Sequence, residues 1–377
     1  NPEHLLIFAA GNLGDDISGC SVSAPSIIKN CLAVGSSQSG PVRLTSGDID
    51  DVSAFSSIGP TTDERIKPDV VAPGHFVFSA SNGGPGSCEL DIDSGTSMAC
   101  PIVAGAAALA RQYFTDGFYA GDADARGLCS SASTAAAVSD GIRFACAAFV
   151  PTGTLLKAML IHGANSMGGS TDPDGVRGFG RVHLESRMPF EGDGLAALYV
   201  EDKYTNTVTA SGSGAAGNAT VAVDTTENRV FYVSEADAVL AVEEGEEIRA
   251  TLVWMDPPAT ATSAKQLLHD LDLFLEGPDG TVWTMSGVCS GDQASCDLDS
   301  ANNVERVVVH SDDIVAGAWT ARVSAENGLV ENDSQDFALI ISFPYSAGSG
   351  GFSGASPSLS SDSIGNAMTA PPAPVAG

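Results

Sequence analysis

Apolar and polar positions follow two different rhythms along the 377 residues, and the change of rhythm near position 190 is the first organising feature. Before it, short apolar runs (LLIFAA at 5–10, CLAVGS at 31–36, KPDVVAPG at 67–74) are joined by helix-like stretches. These are a small-residue segment from about Met98 and LLKAMLIHGA at 155–164. Strand and helix in alternation predict an α/β layer structure with a parallel sheet. After it come short β-branched runs: ATVAV (219–223), RVFYVS (229–234), IRATLVWM (248–255), LDLFLE (271–276), VERVVVH (304–310), WTARVSA (319–325) and FALIISF (337–343). Turn residues such as GPDG at 277–280 separate them, which predicts an antiparallel β-sandwich or jelly roll. The expected domains are therefore 1–190 and 191–345. A Gly/Ser/Ala/Pro-rich tail, 346–377, is too poor in apolar residues to repay the entropy of ordering it. Residues 117–149, rich in Ala, Ser, Gly and Asp, read as a surface insertion.

Composition narrows the functional classes. The chain carries 17 Lys+Arg against 47 Asp+Glu, a formal charge of −30, which excludes a nucleic-acid binder. A hydrophobic share of 43% and mean hydropathy of +0.10 are enough for real cores. The longest apolar stretch, 98–110, is too short to span a bilayer, which needs about 20 residues. Eight Cys fall into short-range pairs, Cys20 with Cys31, Cys129 with Cys146 and Cys289 with Cys296, leaving Cys88 and Cys100. Without a CxxC, this pattern favours disulfides and an extracellular location over zinc or dithiol chemistry, with the connectivity open among about 105 pairings. The chain starts at Asn1, with no initiator Met and no signal segment, so processing or truncation is expected to have removed what came before.

The sharpest local signal is Ser94-Gly95-Thr96-Ser97-Met98-Ala99-Cys100-Pro101. A Ser at a glycine-preceded helix start presents its hydroxyl where free backbone N–H groups and the helix dipole favour developing negative charge. Pro101 is expected in the first turn, where its missing N–H costs little. The Ala/Gly-rich helix behind it suits a central helix buried on all sides. The bland alternative is that Thr96 or Ser97 only caps that helix. A second feature lies upstream in Phe8-Ala9-Ala10-Gly11-Asn12, a strand that ends in a turn with an amide side chain able to donate to an oxyanion. Alone, that turn is more often just a turn.

FAAGN, SAFSSIGP (53–60), KPDVVAPG (67–74) and SGTSMACPIVAG (94–105) together resemble the subtilisin family of serine proteases in order and spacing. LLKAMLIHGA and GFGRVHLE (178–185) are similar to that family's closing helix and return strand. The resemblance implies the C-terminal part of a doubly wound parallel sheet and a serine endopeptidase acting on proteins or peptides. It makes Ser97 the nucleophile and Asn12 the oxyanion-hole side chain, and it places Ala9, Ala10, Gly11 and Thr96 in substrate binding. Met98, beside the nucleophile, implies sensitivity to oxidation. The second half resembles the jelly-roll domain of a branch of alkaline subtilases. Asp270, Asp272, Asp297, Asp299 and Asn302 are hard oxygen donors there, and the resemblance implies a structural Ca²⁺ with Asp270, Asp272 and Asp299 as its core; solvated turn acids account for them equally well. No cofactor is needed for the chemistry, and a secreted monomer is expected.

One departure bears on activity. The family takes its triad in the order Asp, His, Ser, and neither a DTG-like nor an HGTH-like motif occurs in the chain. His4 and His75 alone precede Ser97, and all six His (His4, His75, His162, His183, His269, His310) read as structural or exposed. The catalytic Asp and His are then expected on polypeptide upstream of Asn1, and the chain by itself should turn over little substrate. Two other readings compete. One is a non-catalytic relative that binds protein or glycan; the other is an α/β-hydrolase in which GTSMA is a near miss to the GxSxG elbow.

Overall fold

The computed structural model describes residues 2–14, 19–39, 48–84, 86, 88–116, 118, 149–167, 173–185, 187–188, 196–202, 221–222, 226–260, 262–289, 296–325 and 334–344. The tail 346–377, most of the 117–149 segment, and the Cys129–Cys146 pair lie outside these residues.

The first unit is built on a parallel sheet of β1 (Ile7–Ala9), β2 (Leu32–Gln38) and β3 (Val70–His75), in the order β1-β2-β3. β2 is buried along almost its whole length, as a parallel strand covered on both faces must be. Helices α1 (Thr96–Thr115) and α2 (Gly153–His162) complete the unit, and a core including Leu32, Val34, Val70, Val103, Tyr113, Leu155 and Met159 joins them to the sheet. The expected return strand meets the sheet through a bridge between Val71 and Arg181, and Arg181 also bridges to Asn165 and Gly178 to Asp174. Between β3 and α1 a hairpin of β4 (Val77–Ala80) and β5 (Leu90–Asp93) projects, which the hydrophobic pattern did not announce.

Two expectations about α1 are corrected. The helix starts at Thr96, not at Met98, so Pro101 is its sixth residue and sits inside the helix beyond the first turn. There the ring removes the N–H that would have bonded the carbonyl of Ser97. Nor is the helix buried on all sides: Ala99, Val103, Ala107 and Ala110 face the core, while Ile102 and Leu109 are 43% and 62% exposed. Small residues allow close packing on every side, but among the described residues only one face has a neighbour.

The second unit consists of two antiparallel sheets. One has the order β13-β9-β16-β6, from β6 (Ala196–Asp202), β9 (Ile248–Trp254), β13 (Val304–Val309) and β16 (Phe337–Pro344). The other has the order β12-β11-β10-β14-β8, from β8 (Thr226–Val233), β10 (Asp272–Glu276), β11 (Val282–Thr284), β12 (Gly287–Val288) and β14 (Gly317–Ser324). A small pair, β7 (Val221–Ala222) with β15 (Ser334–Gln335), stands apart. One apolar core that includes Trp254, Leu273, Trp283, Trp319, Leu339 and Phe343 is shared by the two large sheets. A third helix, α3 (Glu235–Glu244), closes one side; Ser234 and Asp237 form its capping box and Gly245, at φ +69°, ends it.

The first of these sheets is buried on both faces, which explains why FALIISF is apolar throughout. Phe337, Leu339, Ile341 and Phe343 point into the sandwich, whereas Ala338 and Ile340 belong to the core of the first unit. The same alternation on β9 sends Arg249, Thr251 and Val253 towards α2. The imidazole of His162 on α2 lies 3.0 Å from the Thr251 hydroxyl and 3.0 Å from that of Ser342. Thr152 at the start of α2 donates to Asp202, and Arg306 donates to the carbonyls of Ile161 and Ala164 at its end and to that of Phe179 in the 178–185 segment.

Candidate active site

The site is assembled from loops that the four motifs provide. The FAAGN strand leaves the sheet at Ala9, and the SAFSSIGP segment holds the turn that follows. Ser57 N–H donates to the Gly11 carbonyl at 2.9 Å, and Leu13 N–H donates to the Ser57 hydroxyl at 3.1 Å. Gly11 sits at φ +112°, and a Cβ there would come within 2.8 Å of Ser57 Oγ, so this position requires glycine on two counts. Asn12 stands exposed at the tip.

Asn12 and the start of α1, 84 residues apart, are tied together. Thr96 N–H and Thr96 Oγ–H each donate to Asn12 Oδ1 at 2.9 Å, and Gly11 N–H donates to Thr96 Oγ1 at 3.2 Å. The helix N-cap is Gly95, which has no side chain to offer, so the cap arrives from the distant amide instead. With its oxygen engaged, the Asn12 side chain is oriented, and its Nδ2 makes no hydrogen bond to a described residue. A methyl group placed on Gly95 would lie 3.2 Å from that nitrogen and 3.6 Å from Met98 Sδ, which locates both groups at the nucleophile turn.

Ser97 is the second residue of α1 and is exposed. Neither its hydroxyl nor its backbone N–H is bonded to any described residue. An exposed hydroxyl, its own free N–H at a helix N-terminus and the oriented amide of Asn12 form a constellation suited to receive an oxyanion. β3 holds the other side of the turn, where Gly95 N–H donates to the Gly74 carbonyl at 2.8 Å.

The remaining expected site residues fall into place unequally. Ala9 and Gly11 are half-buried beside the turn, whereas Ala10 is 1% exposed and supports it from beneath. Thr96 is also 1% exposed, so its part is to position Asn12. Asp270, Asp272 and Asp299 are not drawn into one ligand set: among the described residues no three His, Cys, Asp or Glu converge to hold a metal ion. The reason is local. Asp299 is occupied with the N–H groups of Ala301 and Asn302 and the Asn302 amide, and Asp270 faces Lys265. Burial, together with Asp299 and Asp256, pushes the Asp270 carboxyl up to about 6. Burial and Asp272 likewise hold Glu305 well above the usual carboxylate range.

No described histidine is bonded to Ser97. His75 pairs with Gln38 at 2.7 Å, His162 with Thr251 and Ser342, and His269 with Gln335. His183 and His310 lie beside Glu185 and Glu247, and His4 is exposed. Burial and the neighbouring Arg249, Arg187 and Arg306 hold the His162 ring well below its ordinary value, hence neutral.

A charged cluster that motif reading passed over lies under the sheet. Asp69, from KPDVVAPG, accepts from Ala33 N–H at 2.6 Å and is paired with Lys67 and, at 3.2 Å, with Lys157 of α2. Burial alone would raise its carboxyl, but the Lys157 and Lys67 ammonium groups prevail and keep it low. Burial correspondingly lowers Lys157. Of the cysteines, Cys289 and Cys296 are bonded. Cys20 and Cys31, near each other in sequence, are not bonded: Cys20 is exposed, whereas Cys31 is buried, where its thiol is raised by desolvation. Cys88 and Cys100 are also free.

Residues 2–180 match the model of the subtilase family. The Serine protease/ABC transporter B family protein tagD of Dictyostelium discoideum is 29% identical over 335 residues, covering 78% of this chain and 17% of its own length. Serine protease AprX of Bacillus subtilis (strain 168) is 36% identical over 122 residues, covering 30% of this chain and 27% of its own. Among solved structures, Sphericase shares 22% identity over 48% of each chain at a TM-score of 0.30. The chain thus spans less than a fifth of the length of the Dictyostelium relative. No helix among the described residues is long and apolar enough to cross a membrane.

Proposed function

We propose that this chain carries the nucleophile and oxyanion site of a secreted subtilisin-like serine endopeptidase. The single observation behind the reading is the hydrogen-bonded link that orients Asn12 against the N-terminal turn bearing Ser97. Ser97 Oγ attacks the scissile carbonyl, its proton passes to a histidine base, and the oxyanion is held by Ser97 N–H and Asn12 Nδ2. The C–N bond then breaks, the amine leaves with the proton, and water releases the acyl group. The base and its orienting Asp come from polypeptide beyond these residues. Support for its docking place is the uncovered Ile102/Leu109 face of α1 and the outer edge of β1, unpaired among the described residues. No metal takes part in this chemistry.

The second unit is read as a jelly roll. Leaving aside the small strands, its sheets run first-eighth-third-sixth and second-seventh-fourth-fifth in chain order, an arrangement that supports two Greek keys. The Cys289–Cys296 bond supports an oxidising, extracellular setting. In the polypeptide as its source cell makes it, hydrolysis of denatured casein is expected, absent in Ser97→Ala and about 10²–10³-fold slower in kcat for Asn12→Ala. Casein hydrolysis that persists in Ser97→Ala overturns the assignment. The engagement of five of the six His elsewhere favours a binding role for the isolated chain, and a folded full-length polypeptide inert towards casein would establish that alternative.

A further inference from the structure

The β4–β5 hairpin has no part in the chemistry above. It leaves the sheet after His75 and returns at Ser94, three residues before Ser97. Its neck is fixed to the nucleophile turn, since Phe76 N–H donates to the Ser94 hydroxyl at 2.8 Å and Gly95 N–H to the Gly74 carbonyl at 2.8 Å. The register sets Phe78 opposite Ile92 and Ala80 opposite Leu90, with Val77 opposite Asp93 and Ser79 opposite Asp91. Alternate residues lie on opposite faces. One face is therefore Phe78, Ile92, Ala80 and Leu90, and the other carries Asp91 and Asp93. Phe78, Leu90 and Ile92 are 49%, 72% and 38% exposed, an apolar surface that nothing described covers. Neither outer edge of the two strands is paired among the described residues.

We propose that the free edge of β5 accepts the polypeptide substrate as a third strand, and that the hairpin's two faces select a segment in which apolar and basic residues alternate. An added strand has the same period of two, so every second side chain meets Leu90 and Ile92, with Phe78 behind them on β4, while the intervening ones meet Asp91 and Asp93. The sign of charge follows from those carboxylates, in a protein whose 47 acidic side chains outnumber 17 basic ones. Backbone pairing supplies affinity and the two faces supply choice. β5 ends four residues before Ser97, at most about 13 Å along the chain, so a strand laid along it lies close to the nucleophile turn. The inference rests on the protease reading in taking the added strand to be substrate.

Binding tests it without needing turnover. The 377-residue chain is titrated into fluorescein-labelled ten-residue peptides of alternating Leu and Lys or alternating Leu and Glu, followed by anisotropy. The Leu–Lys peptide should bind at least tenfold more tightly. The double change Phe78→Ser/Leu90→Ser and, separately, Asp91→Asn/Asp93→Asn should each weaken it about tenfold or more. Asp312→Asn/Asp313→Asn, exposed acids of the second unit, should leave it unchanged. All these positions are exposed, and equal melting temperatures would verify that the variants fold. The proposal is overturned if the Asp312/Asp313 pair weakens binding as much as the Asp91/Asp93 pair, or if the Phe78/Leu90 change has no effect. It is also overturned if sedimentation shows the hairpin face burying itself in a second copy of the chain. Binding with these dependences but no hydrolysis by the full-length polypeptide would keep the docking surface and remove only the role given to Ser97.

Discussion

Thr96 shows how much a single buried hydroxyl can organise. It accepts from Gly11 and donates to Asn12, so Thr96→Val leaves the Gly11 N–H without its acceptor and Asn12 Oδ1 with one of its two donors. Its expected cost is about 1–3 kcal/mol in urea denaturation, with Thr96→Ser close to the parent. An unchanged midpoint for the valine variant would show that water serves equally well. Asp270 gives a pH signature. Its folded-state value of about 6 lies above the 3.8 of a free Asp, so the folded protein holds this proton more firmly than the unfolded one. Stability from this group is full below about pH 4 and is lost as pH rises through about 6. The parent should therefore weaken relative to Asp270→Asn between pH 4 and pH 7 when both are unfolded with urea, and a constant difference across that range would contradict the assignment. At this scale the sequence was a good guide to where Ser97, Asn12 and Gly11 stand, at the helix start and the strand-end turn, because each is a special residue in a turn. It was a poor one for the burial of Thr96 and Ala10, which depends on what packs beneath them, and for the free thiol of Cys31.

Helix α2 is held at both ends by charges from the other unit. Asp202 accepts from Thr152 at the N-terminus, and Arg306 and Arg249 donate to carbonyls at the C-terminus, which is the polarity that a helix dipole favours. Arg306→Met keeps the stem but leaves three buried carbonyls with a lost donor, and a loss on the order of 3 kcal/mol is expected by urea denaturation. Below about 0.5 kcal/mol, the Arg306 contacts would be incidental. Asp69→Asn is expected to be at least as severe, because Lys67 and Lys157 would then face each other without their counter-charge. Most of the longer strands and the helices α1 and α2 were legible as apolar runs, whereas β6 and β11 were not marked. The β4–β5 hairpin was not, since its exposed apolar residues carry no core pattern, and α3 was passed over although Ser234, Asp237 and Gly245 mark its two ends. The length of α1 was legible and its exposed face was not, because small residues suit burial and exposure alike.

At the scale of the molecule, the β13-β9-β16-β6 sheet is a wall for two cores. Leu198, Val200, Val253, Val304, Ala338 and Ile340 complete the interior of the first unit, so the two parts should unfold together. Calorimetry is expected to give one transition, and a chain ending at residue 190 should fail to fold; two separate transitions would contradict the shared core. The change of rhythm near residue 190 is visible in the sequence, but the interlocking across it is not, because a strand buried on both faces reads only as apolar. The central claim is that Ser97 is the acylated residue. Its most direct test is a fluorophosphonate probe applied to the full-length folded polypeptide, with the modified peptide located by mass spectrometry. The account predicts a single phosphonylated residue, Ser97, with labelling lost in Ser97→Ala and slowed in Asn12→Ala. Labelling at another serine, or none in a protein shown to be folded, would contradict it.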